Sequence, residues 1–327
     1  MVGAVLVVVL LMASATSCGD DSSSDDGSTG ATSKADGAYP MTVSHGMGEA
    51  TIEAAPERIV TLGYGDEDPV AALGVTPIGV LAFDPGPLSP WFTEAVDDAD
   101  VETVDITDGI PLERVAALEP DLIVALGQDL AEKEYDALAE MAPTIAWQTA
   151  PFTDPWRDVN ATVGKVLDKE AEAAELVADT EATVADVAAD HPEWKGKTVA
   201  IAIVQSPDEI GVIVTPDENT VALFSDLGME LAPGAAALEP GETGFSAFIS
   251  REQLASLEAD LLILRPGDDA FRGQLEADPL FQSLDVVQAG HVFWPDAELW
   301  LAFRTPSVLA IPYALDRLVP ALETIMG

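Results

Sequence analysis

The sequence contains one cysteine, Cys18, and three histidines, His45, His191 and His291. A single thiol cannot form an internal disulfide, and three scattered imidazoles cannot build the Cys- and His-rich sites that hold structural zinc. Positive charge is equally scarce: 14 Lys and Arg face 58 Asp and Glu, a formal net charge of -44 at pH 7. Such a surface repels phosphate backbones, which excludes nucleic acid as a partner. Glycine-rich phosphate loops and a Gly-x-Ser-x-Gly nucleophile elbow are missing. Gly46-Met47-Gly48 lacks the third glycine and the preceding strand of a dinucleotide fingerprint. Apolar residues, by contrast, make up 48% of the 327 positions, enough for two cores and incompatible with a mostly disordered chain.

The first apolar run, Val5 to Met12, is too short to span a bilayer and gives way to the small residues Ala13-Ser14-Ala15-Thr16-Ser17 before Cys18. Residues 1–17 read as an export signal peptide. The boundary resembles a bacterial lipobox, whose cysteine is lipidated after cleavage. Cys18 would then anchor the protein to the outer face of the cell membrane, with an uncleaved anchor or a buried free thiol as the alternatives. Residues 18–40 are dominated by Asp, Ser, Gly and Thr and have nothing to bury, so they read as a flexible acidic tether. Calcium binding, salt adaptation or plain solubility would each produce the remaining acid excess.

Two segments are related. Glu113-Arg114-Val115-Ala116-Ala117-Leu118-Glu119-Pro120-Asp121-Leu122-Ile123-Val124 aligns with Glu252-Gln253-Leu254-Ala255-Ser256-Leu257-Glu258-Ala259-Asp260-Leu261-Leu262-Ile263; 252 − 113 and 260 − 121 both give 139. Each reads as a short amphipathic helix, a tight turn and a continuous apolar strand of the kind covered on both faces. Further strands are expected at 59–62, 78–81, 144–147, 199–204, 212–214 and 292–293. The fold class is therefore α/β, with two mostly parallel sheets in two lobes, 41–154 and 192–327. Between them, 155–191 is rich in Ala and Glu, with no proline from Trp156 to His191, and reads as one long connecting helix. A break near Asp168 is the alternative.

Ligands of open parallel sheets lie beyond the carboxyl ends of the strands, which directs attention to the loops after Leu62, Leu81, Leu126, Val204 and Leu264. The first lobe offers Tyr64, Asp66, Trp91, Gln128 and Trp147 there; the second offers Phe245, Arg265, Trp294, Trp300 and Arg304. Aromatics and a few arginines suit a bulky, partly apolar ligand with oxygen acceptors. Trp156 and Phe248 are expected to pack in cores. Asp66-Glu67-Asp68 could supply the paired carboxylates of a secreted hydrolase, a nonspecific signal, and no histidine sits in the context of a general base.

The chain resembles the iron-siderophore substrate-binding lipoproteins of bacterial ABC importers, the helical-backbone or class III periplasmic-binding proteins. The resemblance is collinear from Tyr39 to Gly327. It is carried by Ala55-Pro56-Glu57-Arg58-Ile59-Val60, Ala72-Leu73-Gly74-Val75-Thr76-Pro77-Ile78-Gly79, Leu118-Glu119-Pro120-Asp121-Leu122-Ile123, Ala142-Pro143-Thr144-Ile145, Gly290-His291-Val292-Phe293 and Pro312-Tyr313-Ala314-Leu315-Asp316. It implies Rossmann-like lobes, a ferric siderophore captured between them, and a monomer that delivers it to a membrane permease. It also implies that Glu113 and Glu252 dock on permease arginines. The siderophore's own oxygens would hold the iron, so neither a cofactor nor protein ligands to a metal are expected. The shortage of basic residues favours a hydroxamate-type or mixed siderophore over a triscatecholate. Cobalamin and haem are the alternative ligands, with Tyr64 as the axial candidate for haem.

Overall fold

The computed structural model describes residues 38–82, 88–97, 99–206, 208–241 and 243–327. The signal peptide, Cys18, the tether up to residue 37 and loop residues 83–87 lie outside the described residues.

A hairpin, β1 (Met41–His45) and β2 (Gly48–Ile52), precedes the first large sheet. That sheet is formed by β3 (Ile59–Thr61), β4 (Gly79–Ala82), β5 (Glu102–Asp105), β6 (Leu122–Ala125) and β7 (Thr144–Ala146), in the order β5-β4-β3-β6-β7, all parallel. The second sheet comprises β8 (Thr198–Ser206), β9 (Glu209–Ile213), β10 (Glu230–Leu231), β11 (Ser246–Ile249), β12 (Leu261–Pro266) and β13 (Val292–Phe293). Its order is β11-β9-β8-β12-β13, with β10 beside β8; β8, β10, β12 and β13 run parallel and β9 antiparallel to β8.

The continuous apolar runs reflect burial on both faces. Along β8, Val199 and Ile201 enter one core while Ala200, Ala202 and Val204 enter another. Along β6, Leu122 and Val124 separate from Ile123 and Ala125 in the same way. The repeated segments occupy equivalent places, β6 between β3 and β7, β12 between β8 and β13. Their matching aspartates do the same work. Asp121 accepts from the backbone N–H groups of Glu57 and Arg58 (both 2.9 Å) at the entry to β3. Asp260 accepts from Thr198 N (2.8 Å) at the start of β8. The first repeat begins with an α-helix, Leu112–Ala117, and the second with a 3₁₀ helix, Arg251–Leu257.

The long helix between the sheets is Glu170–Asp190, about 31 Å at 1.5 Å per residue. The single helix expected over 155–191 is instead two. Trp156–Val166 ends in a Schellman turn: Lys169 N donates to Gly164 O (2.8 Å), Asp168 N to Lys165 O (3.2 Å), and Asp168 sits at φ 55°. Aspartate occupies the left-handed position where glycine usually marks such a stop. The shorter helix then packs against the longer one so closely that a Cβ on Gly164 would lie 2.3 Å from Ala173 Cβ. Asn160 Nδ2 reinforces the contact by donating to Ala173 O (2.8 Å). Phe248, expected in a core, is 55% exposed on β11, because Ala247 and Ile249 take the inward face of that strand.

One core crosses between the lobes. Ala71, Val80, Trp91 and Phe92 of the first lobe pack in one cluster with Ile201, Leu261 and Ile263 of the second sheet and with the C-terminal helix Ala310–Met326. Among the described residues, no helix is long and apolar enough to cross a membrane. Replacing Gly164 with Val should overpack the helix pair and lower unfolding free energy by roughly 1–3 kcal/mol, read from urea denaturation; an unchanged midpoint would contradict this packing.

Candidate functional site

A cavity of about 320 Å³ opens between the two lobes. Its first-lobe wall is the loop after β3 (Tyr64, Gly65, Asp66), the loop after β6 (Leu126, Gly127) and the segment after β7 (Phe152, Asp154). Trp156, Val159 and Asn160 of the first connecting helix continue that wall. Asn219, Phe245, Arg304 and residues 305–308 close the other side. Several of these groups follow the carboxyl ends of parallel strands, where such folds hold ligands.

The two first-lobe loops are locked together by Asp66. Its carboxylate accepts from Leu126 N (2.7 Å) and Gly127 N (3.1 Å), and a Cβ on Gly127 would lie 2.7 Å from Tyr64 O, so only glycine allows this approach. Burial pushes the Asp66 carboxyl up to about 7, although those backbone donors pull it down. Glu67 is also raised, first by burial and then by Asp68. Asp68 is raised to about 7 by burial, against the hydrogen bonds it accepts from Ser307 and Trp91. Trp91 Nε1 donates to its Oδ2 at 2.9 Å, and Ser307 Oγ, from the segment after the last short helix, donates to the same oxygen. Asp66 and Asp68 are thus structural ties.

Across the cavity, Arg304 Nη1 is paired with Glu218, donates to Thr220 Oγ1 (3.3 Å), and its guanidinium lies 5.6 Å from the Phe245 ring centroid. Glu218 is itself fixed, because its carboxylate accepts from Thr220 N (2.9 Å) and Val221 N (3.3 Å) at the start of the helix Asn219–Asp226. Arg304 is the one base among the described lining residues, and Glu218 neutralises it. Tyr64 meets Phe152 edge-on at 5.8 Å. Burial pushes its phenol up to about 12, with the Arg304 charge pulling the other way, so it is a neutral hydroxyl at ordinary pH.

Tyr64, Asp66, Phe245 and Arg304 therefore meet at one cavity, and the other candidates lie elsewhere. Trp91 is buried with its ring 4.9 Å from Tyr313. Gln128 is buried, its Oε1 accepting from Asp129 N (3.1 Å). Trp147 covers Gly46, whose N–H donates to Trp147 O (2.7 Å). Trp294 packs beneath Arg272, 4.8 Å from its guanidinium, and Trp300 meets Phe303 edge-on. Arg265, on β12, is half-buried outside the cavity lining. Aromatics near strand ends are visible in a sequence; which way each ring turns depends on the helix or hairpin packed over it. Phe152, Asp154 and Asn219 carry no sequence signal, and Trp156, expected in a core, is buried while also lining the cavity.

Glu113 and Glu252 are both exposed in the first turn of their helices. The arginine beside each is already engaged: Arg114 pairs with Glu102 (2.7 Å) and Arg251 with Asp278. Among the described residues, no group of three or more His, Cys, Asp or Glu is placed to hold a metal ion.

The family model described as periplasmic binding protein matches residues 59–299. This chain belongs to that family. It is a substrate-binding protein and not an enzyme. A periplasmic solute binding protein from Mycobacterium smegmatis has the same fold, with a TM-score of 0.77 at 30% identity over 88% of this chain and 98% of that one. The iron uptake ABC transporter substrate-binding protein PiaA of Streptococcus pneumoniae, solved in complex with ferrichrome, has a TM-score of 0.76 at 26% identity over 87% of this chain and 98% of PiaA. The Fe(3+)-citrate-binding protein YfmC of Bacillus subtilis is 24% identical over 84% of each chain.

The buried acids give this periplasmic binding protein a pH dependence of defined sign. The native Asp68 carboxyl keeps its proton to about pH 7, whereas an unfolded aspartate loses it near pH 4, so stability is greatest below that window and falls as pH rises through it. Asp68→Asn should flatten the decline in urea-unfolding free energy between about pH 4 and 7; a variant with the wild-type slope would contradict the assignment.

Proposed function

We propose that the protein is the extracytoplasmic substrate-binding component of an ABC importer for a ferric chelate, captured between the two lobes and handed to a membrane permease. The observation that carries this reading is a cavity walled by both lobes, aromatic on each side, in which the single guanidinium is already paired. A triscatecholate complex bears several negative charges and calls for unpaired cations. A neutral or cationic hydroxamate-type or mixed siderophore does not, and its hydrocarbon arms suit the aromatic walls. The relatives that bind ferrichrome and ferric citrate support the class. The ferric ion is cargo, coordinated by the chelate's own oxygens.

Attachment through a lipid on Cys18 would keep the two lobes near the membrane, with 18–40 as the tether. Glu113 and Glu252, exposed and standing at equivalent positions of the two lobes, are suited to two basic pockets on one permease. Their neighbouring arginines are engaged elsewhere, which leaves both side chains accessible to a partner.

Titration of the purified soluble part with ferrioxamine, ferrichrome, ferric citrate, a catecholate chelate, haem and cobalamin tests the ligand class. An iron hydroxamate should quench tryptophan emission, with Trp156→Phe reducing the quench; no response to any ferric chelate would overturn the reading. Replacing Glu113 and Glu252 together with Ala should abolish uptake while leaving chelate affinity unchanged, and undiminished uptake would remove the docking assignment.

A further inference from the structure

Among the described residues, four that are not glycine have positive φ: Asp97, Glu119, Phe152 and Asp168. Three of them explain themselves. Asp97, Glu119 and Asp168 follow the last turns of the helices Pro90–Ala95, Leu112–Ala117 and Trp156–Val166, where a left-handed residue ends the helix. Phe152 follows no helix. It sits in the segment between β7 and the helix Trp156–Val166, at φ 61°. A bulky side chain is strongly disfavoured there, and glycine or asparagine would serve the backbone better.

The ring does not repay that strain by packing. Phe152 is 39% exposed and its aromatic neighbour Tyr64 is 36% exposed, yet both line the cavity. The backbone around Phe152 is over-determined. The Asp154 carboxylate accepts from Gln148 N and Thr149 N (2.9 Å), closing the loop on itself, and Thr153 N donates to Ala150 O (3.2 Å). From the opposite lobe, Asn219 Nδ2 donates to Asp154 O (3.1 Å). A strained residue held this firmly, with its apolar surface turned to a cavity, marks a functional contact.

We propose that Phe152 is a ligand-contacting, specificity-determining residue that, with Tyr64, clamps the hydrocarbon periphery of the bound chelate. This rests on the ferric-chelate reading of the cavity. Selection is for chelates with alkyl or peptide arms around the metal, over small hydrophilic ones. Because Asn219 holds the Phe152 loop from the second lobe, the clamp is complete only when both lobes are in the arrangement seen here.

The test uses Phe152→Gly and Phe152→Asn, both compatible with the left-handed backbone, with thermal melts and titrations against ferrichrome, ferric citrate, haem and cobalamin. Ferrichrome affinity should fall at least about tenfold in both variants, with ferric citrate within about twofold of wild type and Tm unchanged or raised. Ferrichrome affinity within about twofold of wild type in both variants would overturn the proposal. So would a Tm loss of more than about 4 °C in both, which would make the ring a packing element. If the wild type takes haem or cobalamin alone, the chelate reading fails, and the tenfold criterion applied to that ligand decides the role of Phe152. A wild type that binds none of the four contradicts both.

Discussion

The buried carboxylate of Asp68 ties the two lobes together through hydrogen bonds from Trp91 and Ser307. It lies where the first helix of the first lobe meets the segment that follows Arg304, and it receives Trp91 from one side and Ser307 from the other. The tie sits within a hydrophobic cluster that both lobes share. A charged carboxylate would be costly there, and the raised pKa shows how the cost is reduced: the group keeps its proton. Two lobes that share a core and a hydrogen-bonded acid cannot move as independent bodies. The cavity between them is therefore largely formed in advance, which spares a ligand much of the ordering cost of binding.

The same economy governs the polar groups of the cavity. Asp66 fixes the two first-lobe loops by accepting from Leu126 N and Gly127 N, Glu218 pairs with Arg304 while capping the start of a helix, and Asp154 closes the loop that presents Phe152. Each carboxylate is spent on the scaffold. The surface turned to a ligand is largely aromatic, with one guanidinium that is already paired, a set that discriminates by shape more than by net charge. In a chain with a net charge of -44, the described lining of the cleft holds one basic residue, and it is already paired.

The sheets were legible in the sequence because their signal is strong and local. Apolar runs such as Leu122–Ala125 and Leu261–Leu264 have no stable place except between two covered faces, and the repeated Asp121 and Asp260 each anchor the entry of a neighbouring strand. The short strand β5 and the hairpin β1–β2 carry weaker patterns, since only one side of each is deeply buried. The helix break at Asp168 was hidden because aspartate took the place of glycine in a Schellman turn. The site was half-legible. Of the residues expected near strand ends, Tyr64, Asp66, Phe245 and Arg304 line the cavity, whereas the turn of each side chain depends on long-range packing, so Trp91 is buried in the shared core and Trp147 lies against Gly46. Phe152 and Asn219 come from segments that meet through a contact between the lobes, Asn219 Nδ2 to Asp154 O, which no local pattern marks.

The most direct test is a crystal structure of the protein with a bound ferric hydroxamate. The account predicts the chelate between Tyr64 and Phe152 on one side and Phe245 and Arg304 on the other, with every iron ligand supplied by the chelate. A complex seated on the outer surface, or a protein carboxylate in the coordination sphere of the iron, would contradict it.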